Sequence, residues 1–302
     1  MDTKRIVLCT SSGCLEYAPE RYKNLGIEFL RICVFYGEPE KEYLEGLDLD
    51  PWHFFEYERT VKDPKNHLPH TSIPSRQLIV DKFDELVERG YEEAFIITLS
   101  TGLGIMHDFV EGIAKEYEDK IKIHVIDTKT TCFCEGMVAV KAQELVNQGL
   151  DTDTILKELD WQIKHTYFLG ICGSLDYLIY NGRLRGGKAF MGKLLKVAPA
   201  LHFSEDGHIE SFASAMGSSK AALIIVNKAK ELIGDRKDDE YYIFHIYTGE
   251  GSDKALFAQE EAVGLKMNHE AVIASPVTGC HTGPEMAGYG IVLKRRESDS
   301  LE

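Results

Sequence analysis

Hydroxyl, carboxylate and imidazole side chains that could hold an anion recur along this sequence in short loops. Thr10-Ser11-Ser12, Ser100-Thr101-Gly102 and Asp127-Thr128 each directly follow an apolar run that reads as a β-strand. In an open parallel sheet, the loops at the carboxyl ends of the strands gather on one edge, where ligands bind. The stretch from Ser100 to Gly104 also precedes a helical pattern whose first amide groups would face an anion. The same hydroxyls can instead cap helices and turns, and spacing alone puts capping first. Three such loops on one edge shift the balance toward a site. His281 lies in Gly279-Cys280-His281-Thr282-Gly283-Pro284, a glycine-bracketed loop after a strand, where another group can approach the backbone closely. Lone histidines are more often structural, but this setting leaves the imidazole free to donate. Arg183 and Arg185 follow a short apolar turn ending at Asn181-Gly182, where they could equally satisfy the last carbonyls of a helix. Cys132 and Cys134 form a C-x-C pair with no partner pair, which points to structure rather than to a metal.

Several chemistries are excluded by pattern. Gly102-Leu103-Gly104 lacks the third glycine of a dinucleotide loop, with His107 at that position, and no Walker lysine motif occurs. No serine is flanked by glycines as in a nucleophile elbow. A net charge of −15 argues against nucleic acid and against adsorption on an anionic membrane. No run approaches the roughly 18 apolar residues of a membrane span, so stable insertion is not expected. The seven cysteines, an odd number lying mostly in apolar segments, read as free thiols of a cytoplasmic protein.

The elements that must position these residues follow from periodicity. Strands are expected at 5–9, 31–36, 94–99 and 121–126, with helices at 75–89, 105–117, 132–148 and up to 163. That alternation implies a doubly wound parallel sheet. The second half changes rhythm. Strands are expected at 167–172, 194–203 and 208–213, the last two a hairpin across Asp206-Gly207. Helices at 218–232 and 253–265, and strands at 241–247, 270–275 and 291–293, complete a mixed sheet. A 302-residue chain exceeds the usual size of one core, and two α/β domains, 1–163 (Rossmann-like) and 164–302, are expected.

On these residues the chain resembles the DegV family of bacterial fatty-acid-binding proteins. Thr71-Ser72-Ile73-Pro74 is similar to the family's TS-x-P loop, and Leu99-Ser100 to its serine turn. The segment from Asp127 to Gly136, the turn from Leu175 to Arg185 and His281-Thr282-Gly283-Pro284 match three more motifs, in register over about residues 5 to 294. The resemblance implies a two-domain fold with a fatty acid between the domains, its tail in an apolar tunnel of the C-terminal domain. It carries the carboxylate ligands onto Thr71, Ser100 and His281, with Ser72 a neighbour, and implies no cofactor beyond the bound lipid.

Some relatives serve as the binding subunit of a fatty acid kinase and dock it through basic residues of the second domain. Here Arg183 and Arg185 are the residues expected to dock a partner, with Lys188 or Lys193 compensating. Val197-Ala198-Pro199 replaces Ile-Lys-Pro, and the neutral stretch from Ala213 to Gly217 replaces a basic one. The first strand is followed by Thr10-Ser11 instead of Asp-Ser, and the serine turn continues Thr101-Gly102-Leu103 instead of Gly-Thr-Tyr. The expected activity is that of a non-enzymatic carrier of a long-chain fatty acid. The rival is a hydrolase or transferase in which His281 serves Ser100 or Thr71 as base, which needs a third group to orient the imidazole.

Overall fold

The computed structural model describes residues 3–61, 67–187, 197–262 and 270–301. Strands β1 (Arg5–Thr10), β2 (Glu28–Leu30), β6 (Glu93–Thr98) and β7 (Lys122–Asp127) form a parallel sheet in the order β2-β1-β6-β7. All of β6 is buried, as expected of a strand covered on both faces. Helices α2 (Arg76–Glu88) and α3 (Met106–Ala114) cover one face, with Ile79, Phe83 and Val110 against Ile6, Leu8 and Ile96. Ser75 caps α2 by accepting from the Leu78 amide.

The other face is covered by α4 (Cys132–Asn147), which is buried over most of its circumference because a second sheet lies on its far side. Strands β8 (Thr166–Cys172), β9 (Val197–Phe203), β10 (Ile209–Met216), β11 (Tyr241–Tyr247), β12 (Glu270–Ile273) and β13 (Met286–Leu293) form that mixed sheet, in the order β10-β9-β8-β13-β11-β12. Only β11 and β12 pair in parallel. Helix α5 (Thr152–Lys164), capped by Asp151, packs on α4, and α7 (Ser218–Ile233) covers the far face of the mixed sheet. The hairpin expected across Asp206-Gly207 joins β9 to β10, with Gly207 at φ +79 and Phe203 paired to Ile209.

Three local features differ from the sequence reading. The 31–36 run supplies β3 (Cys33–Tyr36), which leaves the parallel sheet and pairs antiparallel with β4 (Lys41–Leu44) and β5 (His70–Ser72). Its place beside β1 is taken by β2, which is too short to carry a periodic signal. Helix α1 (Pro51–Thr60), capped by Asp50, also escaped the pattern; α6 (Asp176–Tyr180) and α8 (Lys254–Ala262) occupy segments that read as helical. The loop expected around His281 is helix α9 (Pro276–Thr282), with Ser275 as cap and Pro276 in its first turn. The starts of the expected 194–203 strand and the end of the 253–265 helix, with Lys188 and Lys193, fall outside the described residues.

Close approach of α4 to the loop after β1 depends on two glycines. A Cβ on Gly136 would overlap the Gly13 carbonyl and lie 3.1 Å from Leu15 Cγ, so neither backbone could keep its place. Gly112 on α3 has nothing within 4 Å of the same position. Urea denaturation should therefore show Gly136→Ala about 1–3 kcal/mol less stable than the parent. Gly112→Ala should be neutral or stabilising by up to about 1 kcal/mol through helix propensity.

Candidate functional site

Where the two sheets face each other beyond the N-terminus of α4, they border a half-open cavity of about 280 Å³. Its wall is apolar, built by Ile32, Leu99, Leu103, Met106, Phe168 and Phe203. Polar groups gather at one end: Thr71 and Ser72 from β5, His281 from α9 and Arg183 from the turn after α6.

Helix α9 is held from several sides. The Ser275 hydroxyl accepts from the Thr278 amide at 3.3 Å, and Glu45 accepts from the Val277 amide at 2.9 Å. Glu45 is fully buried, and burial pushes its carboxyl up to about 8, against a hydrogen bond from the Tyr17 hydroxyl. Asn181 donates to the Cys280 carbonyl at 2.8 Å, tying the turn that carries Arg183 to the helix that carries His281. Gly283 ends the helix at φ +75, with the Tyr177 ring 2.7 Å from where a Cβ would stand.

His281 Nε2 lies 3.0 Å from Thr71 Oγ1, while Nδ1 is buried with no hydrogen-bond partner among the described residues. Desolvation, with smaller contributions from the Arg183 and His70 charges, lowers the imidazole to about 3. The pair thus holds one hydroxyl proton and one imidazole proton, and their mutual bond uses only one. The other, on Thr71 or on Nδ1 according to tautomer, remains for a ligand.

Arg183 donates through Nη1 to the Asn181 carbonyl at 2.8 Å and has no acidic partner among the described residues. Burial lowers its pKa, but a guanidinium stays charged. Sequence reasoning placed it with Arg185 as a docking residue; the structure parts them. Arg185 is exposed against the β9–β10 hairpin, paired with Asp206 and lying 3.6 Å from Glu210, while Arg183 faces the cavity. Nothing in residue order distinguishes the two, since the division depends on which way the turn folds.

Ser72 lies at the rim, its hydroxyl donating to the Ile73 carbonyl. Ser100 is not in the lining. Its hydroxyl donates to the Gly207 carbonyl at 2.7 Å and accepts from the Gly102 amide at 3.1 Å, clasping the β9–β10 hairpin. The other loops at this edge also satisfy one another. Thr10, Ser12 and Thr131 donate to buried Glu135, the Ser11 hydroxyl accepts from the Ile32 amide, and Thr101 donates to Asp127. Cys132 faces Thr278 and Cys134 the Tyr167 carbonyl, so the C-x-C pair splits between different neighbours.

Of the two hydroxyls that His281 could serve, Thr71 is in hydrogen-bond contact with Nε2 at 3.0 Å and Ser100 is engaged by Gly207 instead, while Nδ1 has no orienting partner among the described residues. A depressed histidine pKa means that the unfolded chain takes up the proton first. The contribution of His281 to stability is therefore present above the ordinary value of 6.5 and lost progressively as pH falls toward about 3. NMR titration should find the ring neutral down to at least about pH 5, Arg183→Gln should raise its pKa, and His281→Gln should flatten the acid limb of the stability profile.

Comparison with known proteins agrees with this architecture. The family model described as "Uncharacterised protein, DegV family" matches residues 5–294. A DegV domain-containing protein of Listeria monocytogenes is 30% identical over 299 residues, covering 96% of this chain and 99% of its own. A fatty acid binding DegV family protein from Streptococcus agalactiae superposes with a TM-score of 0.85 at 26% identity, over 97% of this chain and all of that one. DegV from Bacillus subtilis, a fatty acid binding protein, gives 0.79 at 25% identity, over 97% of this chain and 100% of its own. With the match running from the first strand to the last, this chain belongs to the DegV family.

Proposed function

We propose that the protein binds a long-chain fatty acid in this cavity, with the carboxylate between Thr71, His281 and Arg183 and the alkyl chain along the apolar wall. The observation that carries the reading is Arg183, a half-buried cation without an acidic partner among the described residues, at the polar end of an apolar cavity. A ligand that matches both ends must be an anion with an apolar tail. The fatty acid binding of the Streptococcus agalactiae and Bacillus subtilis relatives supports the same class.

The energetics divide accordingly. Burying the chain contributes roughly 0.8 kcal/mol per methylene before ordering costs. The head group gains a charge-assisted bond from Arg183 and one neutral donor from the Thr71–His281 pair. Ser72 stands close enough to the rim to join them, whereas Ser100 would first have to give up Gly207.

Organic extraction of protein expressed in bacteria, followed by mass spectrometry, should yield about one long-chain fatty acid per chain, with the occupancy set by affinity. Lipid-free protein that also fails to bind added fatty acid would overturn the reading. Thr71→Val and His281→Ala should each weaken acid binding by about 0.5–3 kcal/mol, with Arg183→Gln at the upper end. A fatty alcohol should lose far less across the series, and an identical response of acid and alcohol would put the head group elsewhere.

Presentation of the bound carboxylate to a separate kinase is the further step that the family resemblance suggests. Its docking surface is thin in charge. Val197 and Met216 are cross-strand partners on β9 and β10, both lacking the basic character of kinase-serving relatives, and Arg185 is engaged by Asp206. Charge complementarity chiefly sets encounter and orientation. Steady-state phosphorylation by a fatty acid kinase from the same organism should therefore be slow, and Val197→Lys with Met216→Arg should raise it. Robust turnover by the unmodified protein would show that these charges are dispensable.

A further inference from the structure

Two aromatic rings, Phe168 and Phe203, stand in the apolar wall of the cavity. Helix α9, which carries His281, leads through Gly283 into the start of β13, where Met286 pairs with Cys172 at the end of β8. Phe168 lies four residues back along β8, on the same face, about 13 Å away at roughly 3.3 Å per residue. Pairing of Leu169 with His202 puts Phe168 beside Phe203 of β9, and their rings meet edge to face with centroids 5.9 Å apart. Both rings line the cavity. The Phe168 ring folds over Gly170, coming within 2.8 Å of where a Cβ would stand, so only glycine lets it lie there.

Size bears on what this wall does. A dry cavity of about 150 Å³ holds benzene, so about 280 Å³ accommodates on the order of a dozen carbons. A long-chain acid carries more, and its last methylenes need room beyond this volume, which the two rings help to bound. The strands behind them are not free to withdraw. Ser100 clasps the hairpin at Gly207, and Gly102 has no space for a Cβ against the same turn. What can give way is the rotamer of each ring.

Resting on the fatty acid reading above, we infer that Phe168 and Phe203 form a yielding wall that sets the length of acyl chain the protein accepts. Ser100 acts as a positioning residue, holding the hairpin from which Phe203 projects. Each ring turned aside opens space for further methylenes, at a packing cost that only the longer ligands meet.

The test is a chain-length series on lipid-stripped protein, with lauric, palmitic and stearic acids titrated against the parent, Phe168→Ala, Phe203→Ala and the milder Phe168→Leu and Phe203→Leu. Each methylene newly accommodated should tighten binding about fourfold. The alanine variants should therefore favour stearic over lauric acid by roughly fifteenfold or more relative to the parent, with the leucine variants between. Should an alanine variant fail to fold, its leucine counterpart decides the matter by the same ratio. A stearic-to-lauric ratio unchanged in every folded variant, while the parent binds fatty acid, overturns the wall and leaves the binding reading standing. A parent that binds none of the acids overturns both.

Discussion

Burial of α4 between two sheets is the constraint on which the rest of the structure depends. One face of the helix covers the parallel sheet, and the other meets β8 and β13. Such a helix tolerates a carboxylate only if its neighbours satisfy it. Glu135 is fully buried, and burial pushes it up to about 8 even though Thr10, Ser12, Cys9 and Thr131 donate to it. Gly136 brings the same turn against Gly13. The N-terminus of α4 is thereby fixed against the loop after β1, and Thr131 and Cys132, which line the cavity, are fixed with it.

The polar end of the cavity follows a different logic. Several ion pairs elsewhere lie at the surface, where they are worth little. At the cavity a neutral histidine, a hydroxyl and a guanidinium share one end, with no acid among the described residues to neutralise the last. Keeping the imidazole neutral avoids a second buried cation, and the Arg183 field helps to keep it so. The result is a mouth with one fixed charge and one spare donor, a set that suits a single carboxylate better than a doubly charged group.

Hydroxyls at the carboxyl edge of the parallel sheet are mostly spent on holding the two sheets and their loops together. Ser100 grips Gly207 across the gap between the sheets, Asp127 gathers Thr101 and Lys129, and Ser11 receives the amide of Ile32. These hydroxyls do what turn hydroxyls commonly do, and by doing it they hold the loops that border the cavity.

The alternation of buried strands with amphipathic helices was legible in the sequence because burial on two faces demands continuous apolar runs and burial on one demands a 3.6-residue period. The hairpin at Asp206-Gly207 was legible because its turn needs a positive φ that glycine supplies. Thr71 and Ser72 could be singled out only through motifs, since a hydroxyl in a three-residue strand carries no periodic signal, and His281 only through its glycine setting and its motif. That Thr71 and His281 meet at 3.0 Å, across 210 residues of chain, was decided by the packing of α9 against the small antiparallel sheet. The division of labour between Arg183 and Arg185, and the commitment of Ser100 to Gly207, were decided by where the β9–β10 hairpin packs. Which acceptor a side chain reaches depends on which element lies within about 3 Å of it, and only the folded chain brings those elements together.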